Sequence, residues 1–247
     1  MLAAVAGILP AAAQPAVDRV DTALVLAVDV SGSVDDSRFA LQMEGIARAF
    51  EDTEVQRTIL SGPRGSLLVT LVNWSHKPRI AVPWTIIASP ADAVAFAGEV
   101  RSAPRASDDF TCMSLMMQIV ADKVLPLMPV PADRKIVDVS GDGRDNCNPP
   151  IPVDIVRDDL VNADVTINGL PIREGKEAAT IEPWYEQHVI GGVAAFLLPA
   201  DGFQDFGRAI RQKFILEISG AQPPHDTAHG VTAVTTGQQS LLPGPWE

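Results

Sequence analysis

The 247-residue sequence predicts an α/β protein: a doubly wound, mostly parallel sheet with one antiparallel edge strand and helices on both faces, a three-layer α/β/α arrangement. Three observations lead there. The strand-like segments are continuous apolar runs, the pattern of strands covered on both faces. They alternate along the chain with segments of helical period, which is how a parallel sheet returns each strand to the same direction. One strand-like run carries a proline, and a residue without a ladder N–H belongs at a sheet edge.

Residues 23–29 (ALVLAVD) read as a strand of the doubly covered type. A helix follows over 36–51, with Phe39, Met43, Ile46 and Phe50 on one stripe. The runs GSLLVTLVNWS (65–75) and RIAVPWTII (79–87), separated by His-Lys-Pro, form a hairpin whose second strand carries Pro83. Helices at 90–102 and 111–125, a strand at 134–140, a helix at 152–163, strands at 164–172 and 193–200, and a helix at 203–218 complete the pass. No internal repeat is visible. A single domain over 20–218, in a chain 47% hydrophobic, is large enough to bury a full core.

The ends differ from this domain. MLAAVAGILPAAAQPA is apolar, carries no charge before Asp18 and reaches Ala11-Ala12-Ala13 just ahead of Gln14. Residues 1–13 are therefore a signal-like segment, which predicts an exported protein, periplasmic or secreted, whose mature form begins near Gln14. That run is too short to span a bilayer, and no later stretch supplies about 20 apolar residues. From Ser219 onward the chain is rich in Pro, Gly, Thr and Gln without periodicity, so 219–247 reads as a disordered tail. His225 and His229 stand four apart in it, but without a helical pattern that spacing has no geometry. The net charge of −12, with no Lys/Arg cluster, argues against nucleic acid or an anionic membrane as partner. It is compatible with cation binding and equally with an ordinary solubilising surface.

In a doubly wound sheet, ligands sit beyond the carboxyl ends of the strands. Three polar loops occupy such positions: Asp29-x-Ser31-x-Ser33; SDDFTCMS, which contains Thr111; and SGDGRDNCN, which contains Asp142. Together they offer two carboxylates and three hydroxyls. An all-oxygen set suits a hard divalent cation, Mg²⁺ first, with Mn²⁺ or Ca²⁺ as alternatives. The competing reading is structural. Ser and Asp after a strand are common turn and cap residues, and Asp35 or Asp36 would cap the helix at 36–51. Asp108, Asp109 and Asp145 read as flanking surface charges, and Trp74 and Trp84 as core. Asn73-Trp74-Ser75 matches a glycosylation sequon by pattern only.

The order and spacing of Asp29-x-Ser31-x-Ser33, Thr111 and Asp142-Gly143 resemble the metal-ion-dependent adhesion site of von Willebrand factor type A (vWA) domains, over roughly residues 20–218. The likeness is greatest to a secreted bacterial vWA-like group of unknown function. It implies that Ser31 and Ser33 bind the metal directly, and Asp29, Thr111 and Asp142 directly or through water. It also implies a non-catalytic binding module whose cation takes an Asp or Glu carboxylate from a partner protein, coupled to movement of the last helix, here 203–218. One departure is Phe110, where such sites commonly place Gly before the Thr.

Enzyme patterns fit less well. A haloacid-dehalogenase site needs a second aspartate where Ser31 stands. Ser140 is flanked by Asp138 and Asp142 and not by the glycines of a nucleophile elbow. GDGRDN is one residue short of a dinucleotide fingerprint, and CNPPIP follows where a helix should open. No histidine lies beside a candidate nucleophile in the three loops. A metal-dependent hydrolase or transferase, or a vestigial site, remain the alternatives. Finally, if Thr111 and Asp142 share one cation, their loops are neighbours. Cys112 and Cys147 then come within reach of a disulfide, which an oxidising compartment favours.

Overall fold

The computed structural model describes residues 17–105 and 109–221. Residues 1–13, Gln14, Asp108, His225 and His229 lie outside them. The elements run β1 (Val20–Asp29), α1 (Asp36–Glu51), α2 (Thr53–Leu60), β2 (Leu67–Trp74), β3 (Arg79–Ile87), α3 (Pro90–Ser102), α4 (Met113–Ile119), β4 (Ala132–Gly141), α5 (Val153–Asn162), β5 (Val165–Pro171), α6 (Ile181–His188) and α7 (Phe206–Ser219). The sheet order is β3-β2-β1-β4-β5. β1 pairs in parallel with β2 and β4, and β4 with β5, whereas β3 runs antiparallel to β2 at the edge. Pro83 is exposed on that edge, where its missing N–H costs no ladder bond.

β2 is buried along its whole length, as its unbroken apolar run requires. One core packs Phe50, Phe96 and Phe214 from α1, α3 and α7 against one face of the sheet. Their rings lie 4.8 and 5.1 Å apart, so truncating Phe50 to Ala would cost about 3–5 kcal/mol. The other face carries Met113, Met116, Val156 and Tyr185 from α4, α5 and α6. Two cores on opposite faces make the three layers. Among the described residues no helix is long and apolar enough to cross a membrane.

Several expectations need correcting. The run 193–200 is not a regular strand. It follows β5 through single parallel bridges, Gly169–Leu197 and Ile172–Ala200. Gly192 and Ala194 adopt positive φ, and the Asn168 side chain accepts the Phe196 N–H, so a continuous ladder cannot form. α2 and α6 have no counterpart among the elements expected from sequence. Asp52 ends α1 and at once caps α2, accepting from the N–H groups of Glu54 and Val55. The helix expected over 111–125 begins at Met113 and passes through a π turn at Val120–Val124 into a short 3₁₀ turn. α7 includes Ser219, inside the stretch read as tail, and closes on Gly220 at φ 70°. Trp74 is fully buried, while Trp84 is half-buried on β3 with its indole N–H on the Val124 carbonyl at 3.0 Å. Asn73 is 2% exposed and bonded to the Pro104 carbonyl, which leaves the sequon inaccessible.

Candidate metal centre

β1 and β4 are adjacent and parallel, so the loops leaving their carboxyl ends emerge side by side. Asp29 is the last residue of β1, and Asp142 directly follows β4. Thr111 sits two residues before α4. The structure brings all five side chains together. Ser33 Oγ donates to Asp142 Oδ1 at 2.6 Å, Ser31 Oγ lies 3.4 Å from Ser33 Oγ, and Thr111 Oγ1 donates to Ser31 Oγ at 3.2 Å. Asp29 joins this chain through its Oδ1, which accepts the Ser31 N–H at 2.8 Å. Ser33 is exposed, whereas Asp29 (0%), Ser31 (1%), Thr111 (4%) and Asp142 (8%) are buried.

The second carboxylate oxygen is the exception to this pairing. Asp29 Oδ2 is buried and accepts no hydrogen bond. Burial, then the charge of Asp142, push the Asp29 carboxyl up to about 7, against the opposing bonds from Ser31. Asp142 is also raised, mainly by burial, with the Ser33 hydroxyl and Arg38 pulling it back. Gly141 explains how Asp29 fits. A Cβ there would lie 2.9 Å from both Asp29 Oδ2 and the unpartnered hydroxyl of Tyr185. Only a glycine lets β4 approach the carboxylate this closely.

An unpaired, desolvated carboxylate oxygen beside a second carboxylate is a frustrated arrangement, and a hard cation relieves it. Two carboxylates with three neutral hydroxyls fit such an ion. Among the described residues there is no group of three or more His, Cys, Asp or Glu side chains placed to hold a metal ion.

Residues beyond the sequence-based set hold the loops. Asp145, read from sequence as a surface charge, is half-buried and accepts the Met113 N–H at 2.7 Å, which caps α4. Asn146 exchanges two bonds with the Thr111 backbone, at 2.9 and 3.0 Å. Asp109 is exposed, as expected. The Cys112–Cys147 disulfide joins the same two loops, with Cα atoms 5.3 Å apart. Arg38 donates to the Ser33 carbonyl and to Glu174. Gln42 holds the Asp29 carbonyl at 3.1 Å. His76 comes nearer than the sequence suggested, its Nδ1 being 3.4 Å from Cys112 Sγ. The hydroxyls, however, are bonded to one another and to Asp142, and no Ser–His pair occurs among these bonds.

The three-layer arrangement, with its single antiparallel edge strand, is the vWA-like α/β fold. Within that class the chain belongs to a family described as proteins of unknown function (DUF1194), whose model matches residues 19–222. No curated protein matches it in sequence. Proximal thread matrix protein 1 from the mussel byssus superimposes with TM-score 0.61 at 15% identity, covering 81% of this chain and 48% of that one. The chain thus spans about half the length of the mussel protein. A further structure of that mussel protein, with a zinc-occupied MIDAS motif, aligns at TM-score 0.58 and 15% identity over 81% of this chain and 48% of that one. The hypothetical protein BatB from Bacteroides thetaiotaomicron aligns at TM-score 0.54 and 14% identity, covering 81% of this chain and 99% of that one.

Proposed function

We propose that this domain is a non-catalytic binding module. It holds a divalent cation through Asp29, Ser31, Ser33, Thr111 and Asp142 and binds an acidic group of a partner protein. The observation carrying this reading is Asp29 Oδ2, a buried carboxylate oxygen without a hydrogen-bond partner, on the residue whose other oxygen accepts the Ser31 N–H. Mg²⁺ suits the set best, with Mn²⁺ and Ca²⁺ as alternatives. When bound, such an ion would keep water in its coordination sphere, and a partner's Asp or Glu would be taken by displacing it. The chain's own part is to orient the oxygens. Ser31 N–H fixes Asp29, Ser33 fixes Asp142, and the disulfide with Asn146 holds Thr111 against the β4 loop.

Export to an oxidising compartment is part of the proposal and is supported by the disulfide. The zinc-occupied MIDAS motif in the mussel protein supports a divalent cation in a domain of this fold.

The test is direct. Protein stripped of metal and then titrated with Mg²⁺ or Mn²⁺ should gain stability, about 2.7 kcal/mol at a hundredfold excess over Kd. Asp29→Ala and Asp142→Ala should abolish that gain. A wild-type protein with no thermal shift and no calorimetric binding would end the proposal. The partner should be captured from an envelope fraction in Mg²⁺ and released by a chelator.

A further inference from the structure

Away from the metal centre the chain buries a charged cluster that the binding function does not use. Lys213 of α7 is completely buried, and Asp138 of β4 and Glu217, one turn further along α7, are each 2% exposed. Lys213 Nζ lies 2.8 Å from Asp138 Oδ1 and contacts Glu217 Oε1. Despite that proximity, neither Asp138 oxygen accepts an aligned hydrogen bond. Asn168 Nδ2 donates to Glu217 Oε1 at 2.8 Å and so orients this carboxyl. The Phe196 ring, 5.2 Å from Nζ, helps close the site.

One ammonium with two carboxylates would leave net negative charge in an apolar interior unless the carboxyl pair keeps a proton. Burial raises both carboxyls, Glu217 to about 7. The cluster therefore holds an amine, an acyl group and an acid in contact, away from water. Those are the components of a condensation.

We propose that Lys213 and Asp138 join in an intramolecular amide bond, with Glu217 as the group that moves the protons. Lys213 first gives one proton to the carboxyl pair, leaving a free amine and two neutral acids. The Nζ lone pair then forms a bond to Asp138 Cγ while Glu217 protonates the carboxyl oxygen. Glu217 recovers a proton from nitrogen and passes it to the departing hydroxyl, the Cγ–O bond breaks to release one water, and the remaining hydroxyl returns its proton to Glu217 as it becomes the amide carbonyl. The products are an amide, a water molecule and Glu217 as a neutral acid. No oxidant, cofactor or activated donor takes part. Two features drive the step: an amine nitrogen held 2.8 Å from an oxygen of the acyl group acts at a very high effective concentration, and the reaction removes both buried charges.

The bond would tie α7 to β4 four residues ahead of Asp142. The last helix could then not slide along the sheet, contrary to the movement that the vWA resemblance implies for 203–218. The proposal stands apart from the metal reading and is tested without metal.

The test is mass spectrometry of the full chain, unfolded, reduced and alkylated so that the disulfide makes no contribution. The expected mass is one water below that of the sequence. Trypsin should fail to cut after Lys213, giving a branched product that joins 136–144 to the peptide starting at Gln212. A wild-type chain at full mass, cut after Lys213, would show an ordinary buried ion cluster and overturn the proposal. Glu217→Gln should restore full mass; a persisting link would refute the role given to Glu217. Asp138→Asn should lose ammonia in place of water, which would mark position 138 as the acyl partner, and loss of water from that variant would exclude it.

Discussion

Replacing Asp29 by asparagine separates the cost of the proposed metal centre from its use. The Asp29 carboxyl titrates at about 7 in the metal-free fold against an ordinary 3.8, because it is buried and faces Asp142. A carboxyl whose folded pKa is raised binds its proton more tightly in the native state. Metal-free stability therefore falls as pH rises from about 4 to 7, and the loss is complete above that. About three units at 1.36 kcal/mol each set a ceiling of about 4 kcal/mol. The asparagine side chain would keep the bond from the Ser31 N–H through its carbonyl oxygen and bring no charge. Its amide would face the region of the unpartnered Tyr185 hydroxyl. Half the ceiling corresponds to a Tm increase of about 4–8 °C for a domain of this size. The assay is thermal unfolding of chelator-treated wild type and Asp29→Asn at pH 4 and pH 8. The variant should match wild type at pH 4, exceed it at pH 8, and show no response to Mg²⁺ at either. Equal stability at pH 8, or an equal gain at both pH values, would refute the assignment of a frustrated charge to Asp29.

Three further outcomes follow from the same geometry. If the proposed cation is held by the Asp29 anion, Mg²⁺ affinity measured by calorimetry should weaken about tenfold for each pH unit below 7. Gly141→Ala should destabilise the protein by about 1–3 kcal/mol and abolish the Mg²⁺-dependent thermal shift, because its methyl group would meet Asp29 Oδ2 at 2.9 Å. The double variant Cys112→Ser/Cys147→Ser opens a cross-link of sequence separation 35 and should lose about 4 kcal/mol on the chain-entropy model, measured by urea unfolding. Its Mg²⁺ affinity should fall too; an unchanged affinity would make the disulfide structural only.

What the sequence reveals and what it hides divide along a physical line. Strands covered on both faces announce themselves as apolar runs, and Pro83 marks the edge, so β1 to β5 are legible within about three residues of their ends. Asp29, Ser31 and Ser33 stand together because one turn supplies all three, and the adjacency of β1 and β4 brings Asp142 beside them. The supporting residues have no such local signature. Asp145 and Asn146 act on backbone N–H groups of another loop, and nothing in GDGRDN distinguishes a cap for α4 from a surface charge. Tyr185 reaches Gly141 from α6, a helix of eight residues that is too short to show a clear period. The run 193–200 misleads because its apolar content is that of a strand, while its backbone is set by positive φ at Gly192 and Ala194 and by a side chain from β5.

The division also bears on how the centre works. The five oxygen-bearing side chains come from loops and a strand end, and such segments alone would hold a repulsive carboxylate pair loosely, letting Asp29 turn outward to water. Here that escape is closed. The Ser31 N–H and Gln42 hold Asp29 from its own side, Gly141 lets β4 press against it, and the disulfide with Asp145 and Asn146 fixes the Thr111 and Asp142 loops to each other. The fold thus keeps a charge in an unfavourable place by surrounding it with covalent and hydrogen-bonded constraints. A site held in that way would lose little entropy on binding the proposed cation, and the relief of the buried charge would be available as binding free energy.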